Sequence, residues 1–260
     1  MKTLSASLVV VAALFMNSAS IAHSAKPTIV LVHGAFADAS SWNAVIKILD
    51  EDGYPVVAVA NAMRSVQGDA KYVTEILAGI KTPVVLVGHS YGGFIISEAA
   101  YDNVSVKALV YVAAFAPETG ETAVGLSGKF PGSTLGPTLA VPVALAGGGK
   151  DLYIQQGKFP AQFAADVEEA DAKAMAVTQR PITQSAFSEK AQHTAWKTLP
   201  SWFVYRDQDK NIPPQALTFM ADRAAAKQTV VVKGASHVVI VSNPTIVASL
   251  IENAASAIEQ

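Results

Sequence analysis

Apolar residues fall along this chain in two alternating rhythms. Apolar, β-branched-rich runs occur at Thr28–Val32, Val56–Val59, Pro83–Val87 and Val106–Val112, the last interrupted by Lys107. Runs of that length, bounded by Gly, Pro and polar residues, are the pattern of strands buried on both faces. Between them the apolar positions repeat at helical spacing. Trp42, Val45, Ile46 and Leu49 form one such set, with Ser40 or Ser41 as the expected cap and Gly53 as the stop. Val73, Ile76, Leu77 and Ile80 form another, within a helix expected over 64–80. Small and apolar residues from Ile95 to Tyr101 suit a buried helix after the third run. Strand following helix from residue 28 to 116 predicts right-handed crossovers and a mostly parallel sheet with helices on both faces, the α/β class.

The rhythm then stops. Residues 117–199 contain no convincing buried strand. Gly120 to Gly149 is rich in Gly, Pro, Thr and Ser, Phe159 to Thr178 has helical composition, and Pro181 separates it from a second helical piece over 185–196. The strand pattern resumes at Ser201–Tyr205 and Thr229–Val232, with a helix expected over 216–226 and a closing helix from Asn243-Pro244. A long excursion between two parts of one sheet is expected to be a largely helical lid. The expected organisation is one domain over 26–260, with the lid inserted at 117–199.

Composition narrows the setting. Apolar residues make up 51% of the 260, charged residues 15%, and the net charge is −2. A large core is possible, and no Lys/Arg cluster points to nucleic acid or an acidic membrane surface. The first 25 residues pair Lys2 with an apolar stretch from Leu8 to Met16 and small residues at Ser18-Ala19-Ser20 and Ala22. That layout predicts a signal peptide cut after Ala22 or Ala25, hence a periplasmic or secreted protein. The apolar stretch is too short to span a bilayer, which takes about 20 residues, so no stable membrane anchor is expected. There is no cysteine, so an exported chain must stand on its core alone.

The third run ends at Gly88-His89-Ser90-Tyr91-Gly92. Strand, sharp turn and helix in that order make a nucleophile elbow, in which a serine sits on a strained bend. A serine hydroxyl is a poor nucleophile at neutral pH and needs a base and a group that orients the base. Partners belong at the carboxyl ends of neighbouring strands, following the serine as acid and then histidine. Of the five histidines, His23 falls in the signal segment, His33 and His89 precede the required position, and His193 lies in the lid. His237, after the last strand, is the expected base, with His193 as the alternative. Asp207 and Asp209 both follow the strand ending at Tyr205, and Asp209, nearer the helix opened by Lys210-Asn211-Ile212-Pro213, is preferred as the acid. The Tyr91 N–H is expected to bind an oxyanion together with the Ala35 N–H in His33-Gly34-Ala35-Phe36.

Taken together, Gly88-His89-Ser90-Tyr91-Gly92-Gly93, His33-Gly34-Ala35, Asp209-Lys210-Asn211-Ile212-Pro213 and Gly234-Ala235-Ser236-His237 resemble the α/β-hydrolase superfamily. The chain looks most like the small-lid branch of plant methyl esterases and hydroxynitrile lyases, with related bacterial esterases and cofactor-free haloperoxidases. The resemblance covers residues 28–116 and 200–255, and the lid matches only loosely. It implies an α/β-hydrolase fold and a carboxylesterase acting on a small-molecule ester, with no cofactor and no metal. Methyl esterases carry an acid followed by Lys-x-Ile-Pro, which matches Asp209 rather than Asp207. The lyases carry a threonine in place of Gly34 and a lysine in place of Val238, which argues against cyanohydrin cleavage. The same triad could instead serve perhydrolysis, or lactone or amide hydrolysis, and a non-catalytic ligand-binding protein on the scaffold is the reading from another class. Phe36 and Phe115 are expected to touch substrate, with Phe130, Tyr153, Phe159, Phe163 and Trp196 as further aromatic candidates for an apolar pocket.

Overall fold

The computed structural model describes residues 25–234 and 236–259, so the expected signal peptide lies outside the described residues apart from Ala25. The first half follows the alternation of the sequence: β1 (Thr28–Val32), α1 (Asn43–Glu51), β2 (Val56–Val59), α2 (Val66–Gly79), β3 (Val84–His89), α3 (Gly92–Ala99) and β4 (Val106–Val112). The segment that follows holds α4 (Ala123–Gly128), β5 (Val143–Ala144), β6 (Lys150–Leu152), α5 (Phe159–Phe163), α6 (Glu169–Thr178), β7 (Ile182–Thr183) and α7 (Gln184–Ser188). The chain closes with β8 (Ser201–Arg206), α8 (Pro214–Arg223), β9 (Gln228–Val232), α9 (Val239–Ser242) and α10 (Pro244–Ile258).

Six strands form one parallel sheet in the order β2-β1-β3-β4-β8-β9. Going from β1 to β2 the chain steps one way, and from β2 to β3 it steps back across β1. Right-handed crossovers therefore put α1 and α2 on opposite faces. Packing agrees: α1 lies against α10, which covers β3, β4 and β8, while α2 lies against α3, which covers β1, β3 and β4. Residues of β1 and β3 are wholly buried, as expected for central strands covered twice. The direction of winding reverses between β1 and β3, and a crevice opens there at the carboxyl ends of the strands. Among the described residues no helix is long and apolar enough to cross a membrane.

Several local expectations are revised by specific hydrogen bonds. The first helical turn is a 3-10 turn, Ala39–Trp42, capped by Asp38 rather than Ser40 or Ser41; Asp38 Oδ1 accepts from the Ser40 N–H at 2.7 Å. α2 starts at Val66, because Ser65 Oγ accepts from the Gly68 N–H at 3.0 Å. The helix read over 159–178 is two helices. The Phe163 carbonyl is taken by the His237 N–H at 3.1 Å and the Ser236 hydroxyl at 3.2 Å, so it cannot continue a helix. The piece read over 185–196 is only α7 and a 3-10 turn, Ala195–Lys197; between them Glu189 leaves to accept from the Val66 and Gln67 N–H groups at the start of α2. Residues 117–199 also contain a three-stranded antiparallel sheet, β5-β6-β7, with Asp151, Leu152, Ile182 and Thr183 buried.

Candidate active site

Ser90 follows β3 immediately and carries φ +53°, the left-handed region that a residue with a side chain seldom adopts. Its main chain is held on three sides. The Ser90 N–H donates to Val112 O at 3.2 Å, and its carbonyl accepts from Gly93 N–H at 3.0 Å and Phe115 N–H at 3.2 Å. The bend also needs close backbone approach: a Cβ on Gly92 would stand 2.4 Å from Val32 O. The spacing Gly-x-Ser-x-Gly thus has a steric cause at its second glycine.

His237 reaches the serine from the loop after β9. Its Nε2 lies 2.7 Å from Ser90 Oγ, and its Nδ1 lies 2.6 Å from Asp209 Oδ2. Asp209 stands in the loop after β8, where its Oδ1 accepts from the Asn211 and Ile212 N–H groups at 2.7 and 3.1 Å. All three residues are buried, His237 to 1% exposure and Asp209 to 3%. The three side chains therefore sit in a low-dielectric setting. With the Nδ1 proton held by the carboxylate, Nε2 is the ring nitrogen free to accept from the serine hydroxyl.

The alternatives to these residues lie elsewhere. Asp207 accepts from the Gly234 N–H at 2.8 Å and braces the turn that leads to His237. His193 pairs with Glu98 at 2.9 Å and stacks on Tyr101, away from the serine. His89 donates its Nε2–H to the His237 carbonyl at 3.1 Å, and complete burial holds its pKa well below the ordinary value, so it acts as a neutral prop. Arg206, itself buried, reaches Lys233 O at 2.8 Å, Asn243 Oδ1 at 2.5 Å and Asp166 at 2.7 Å, tying the His237 loop to β8 and to the segment between α5 and α6.

The loop after β1 lies against the elbow. A Cβ on Gly34 would stand 2.6 Å from Ser90 Cβ and 2.7 Å from His89 O, so nothing larger than glycine fits without a shift. His33 pins this loop: its Nδ1–H donates to Gly34 O at 3.0 Å, and its Nε2 accepts from the Asn61 N–H at 3.1 Å. Burial lowers its pKa and keeps it neutral, in keeping with one donating and one accepting nitrogen. The Phe36 N–H is committed to Arg180 O at 3.0 Å. Among the described residues, the Ala35 and Tyr91 N–H groups donate to no other protein group. The Tyr91 side chain points into the core, where its hydroxyl donates to Asp69 Oδ2 at 3.3 Å. Burial pushes the Asp69 carboxyl up to about 6 and raises the Tyr91 phenol as well.

A narrow cavity of about 10 Å³, room for little more than one water molecule, lies against Ser90 and His237. Phe36, Phe115 and Phe163 line it. Phe159 supports Phe163 from behind at 4.9 Å between ring centroids, Phe130 packs on Phe219, and Trp196 donates to Pro117 O, so none of these three lines it. Ser127, Leu135, Phe187, Asn211 and Ile212 do line it and were not anticipated. The first three come from residues 117–199, where no periodicity singles them out; the last two sit in the Asp209-Lys-Asn-Ile-Pro motif itself, which was a usable signal. Among the described residues no group of three or more His, Asp or Glu side chains is arranged to hold a metal ion.

The chain is similar to the alpha/beta hydrolase nvfD of Aspergillus novofumigatus, 27% identical over 250 residues that cover 88% of this chain and 97% of that protein. It is similar to an alpha-hydroxynitrile lyase of Arabidopsis thaliana, 26% identical over 241 residues, 84% of this chain and 93% of that one. The crystal structure of polyneuridine aldehyde esterase shares the fold with a TM-score of 0.75 at 18% identity, over 88% of this chain and 98% of that chain. The model of the alpha/beta hydrolase family matches residues 29–250. That match runs through both parts of the parallel sheet and the segment between them, and the chain belongs to the alpha/beta hydrolase family.

Proposed function

We propose that this hydrolase is an exported serine carboxylesterase that cleaves small or medium apolar esters through an acyl-enzyme. The observation that carries the reading is the buried relay Ser90 Oγ, His237 Nε2, His237 Nδ1 and Asp209 Oδ2, with separations of 2.7 and 2.6 Å, its serine and histidine lining a cavity with aromatic walls. Ser90 Oγ attacks the ester carbonyl carbon while His237 Nε2 takes its proton. Asp209 holds the ring in the accepting tautomer and stabilises the imidazolium that forms. The carbonyl oxygen, now negative, is held by the Tyr91 and Ala35 N–H groups. His237 returns the proton to the departing alcohol, and water then attacks the acyl-enzyme with His237 again as base.

Apolar substrates are supported by Phe36, Phe115, Leu135, Phe163, Phe187 and Ile212 around the cavity. A second, larger groove with an apolar lining shares Ser127, Leu135 and Phe187 with it. Ester hydrolysis is favoured over cyanohydrin cleavage because the room for a threonine at Gly34 is absent and Val238, next to His237, is an apolar residue with no exposure. Export is supported by the signal-like residues 1–25, and amino-terminal sequencing of the protein recovered from the periplasm or medium tests it. The catalytic reading is tested on short-chain p-nitrophenyl esters. Ser90→Ala should abolish turnover above background; wild-type rates from that variant would end the proposal.

A further inference from the structure

A buried carboxamide carries an acceptor and a two-proton donor, and both ordinarily find partners. Asn211 is 4% exposed and lines the cavity over Ser90. Its Oδ1 accepts from Gln162 Nε2 at 2.7 Å. Its main chain is engaged too, the N–H with Asp209 Oδ1 at 2.7 Å and the carbonyl with the Ser133 hydroxyl at 2.9 Å. Its Nδ2 is also buried and, among the described residues, meets no acceptor.

The orientation of that amide is fixed by its neighbours. Gln162 Nε2 also donates to the Lys210 carbonyl at 3.0 Å, a group that can only accept, and Gln162 Oε1 accepts from the Thr134 hydroxyl at 2.8 Å. Turning Gln162 over would set its oxygen against the Lys210 oxygen. Turning Asn211 over would set its amino group against that of Gln162. The Lys210 carbonyl therefore orients Gln162, and Gln162 orients Asn211 with the amino group as its uncommitted end. Burying a donor without an acceptor is unfavourable, so a donor kept this way on a residue of the cavity lining points to an acceptor that arrives with the ligand.

Building on the esterase reading, we propose that Asn211 Nδ2 donates a hydrogen bond to a second oxygen of the substrate, so that the enzyme selects esters bearing a keto or ether oxygen near the scissile bond. The ester carbonyl oxygen is already provided for by the Tyr91 and Ala35 amides. The second oxygen is uncharged, because no Lys or Arg lines the cavity and the Asp209 carboxylate adjoins Asn211; a substrate carboxylate would be desolvated there without a counter-ion. The rest of the lining is mainly aromatic and aliphatic, which places this one acceptor on an otherwise hydrocarbon skeleton. Asn211 is thus a specificity-determining residue.

The test compares p-nitrophenyl 4-oxopentanoate with its hydrocarbon isostere, p-nitrophenyl 4-methylpentanoate, in wild type, Asn211→Leu and Asn211→Asp. Asn211→Asp keeps an oxygen for Gln162 and exchanges the amino group for an acceptor. In both variants the ratio of kcat/KM, oxo ester over isostere, should fall about tenfold from the wild-type ratio, the scale of one lost hydrogen bond to substrate; intrinsic reactivity cancels in that comparison. A purely structural Asn211 would lower both esters by the same factor, and that result overturns the proposal. If wild type turns over neither ester, the esterase reading has failed instead. The preference is then read by calorimetric binding of the two esters to Ser90→Ala, with and without Asn211→Leu, where equal affinities would again overturn it.

Discussion

Asp209→Asn tests the relay through a change of one atom. In the wild type Asp209 Oδ1 is fixed by the N–H groups of Asn211 and Ile212 at 2.7 and 3.1 Å, and Oδ2 faces His237 Nδ1 at 2.6 Å. Those two donors can only be met by an oxygen, so the asparagine must keep its oxygen there and turn its amino group toward His237. His237 Nδ1 then has to accept, and the ring proton moves to Nε2, which lies 2.7 Å from Ser90 Oγ. A nitrogen that already carries its proton cannot take one from the serine. The wrong tautomer in an intact triad lowers kcat by about 10⁴, or about 5 kcal/mol on the barrier. KM should change little, since the lost interaction belongs to the transition state. Asp207→Asn is the control. Its oxygen accepts from Gly234 N–H, a role an amide oxygen also fills, so kcat should stay within about a factor of three. The assay is steady-state hydrolysis of a short-chain p-nitrophenyl ester, with circular dichroism to verify folding. A folded Asp209→Asn within about tenfold of wild type, or an Asp207→Asn equally damaged, would refute the reasoning.

Gly34→Ala should push the loop after β1 off the elbow, because its Cβ would lie 2.6 Å from Ser90 Cβ; if that loop supplies the proposed oxyanion donor, a loss of about 10²–10³ in kcat is expected, and unaltered kinetics would contradict the contact. Asp69, raised by burial from 3.8 to about 6, holds its proton in the native state where the unfolded chain has released it. Its contribution to stability is therefore full below about pH 4 and is lost as pH rises through about 6, a change of roughly 3 kcal/mol. In urea unfolding from pH 4 to 8, Asp69→Asn should gain on wild type by about that amount, whereas a pH-independent difference would sink the assignment. Arg206→Ala leaves Asp166 without its partner and frees the Lys233 carbonyl. It should cost about 3–5 kcal/mol in denaturant unfolding, and a loss below about 1 kcal/mol would mean that the clamp is dispensable.

The parallel sheet was legible because strands covered on both faces must be apolar at every position, and Ile29–Val32 and Val84–Val87 are. The same covering made the order of site residues legible, since Ser90, Asp209 and His237 each follow a strand and so meet along one edge of the sheet. Residues 117–199 were less so. β5, β6 and β7 are two or three residues long and hold together by pairings such as Asp151 with Thr183, which no local periodicity announces. The break after Phe163 was equally hidden, because it is made by His237, far along the chain. Helix starts were misplaced where a side chain just outside the apolar pattern, Asp38 or Ser65, took the cap. The uncommitted end of Asn211 depends on Gln162 and the Lys210 carbonyl together, a relation between three groups that only the folded chain brings into register.

The central claim is that Ser90 is a nucleophile activated by His237 and Asp209. Reaction of the purified protein with a fluorophosphonate probe, read by intact mass and peptide mapping, tests it most directly. The account predicts a single adduct on Ser90, absent from Ser90→Ala and formed far more slowly in His237→Ala and Asp209→Asn. An unlabelled wild type, or an adduct that persists in Ser90→Ala, would contradict it.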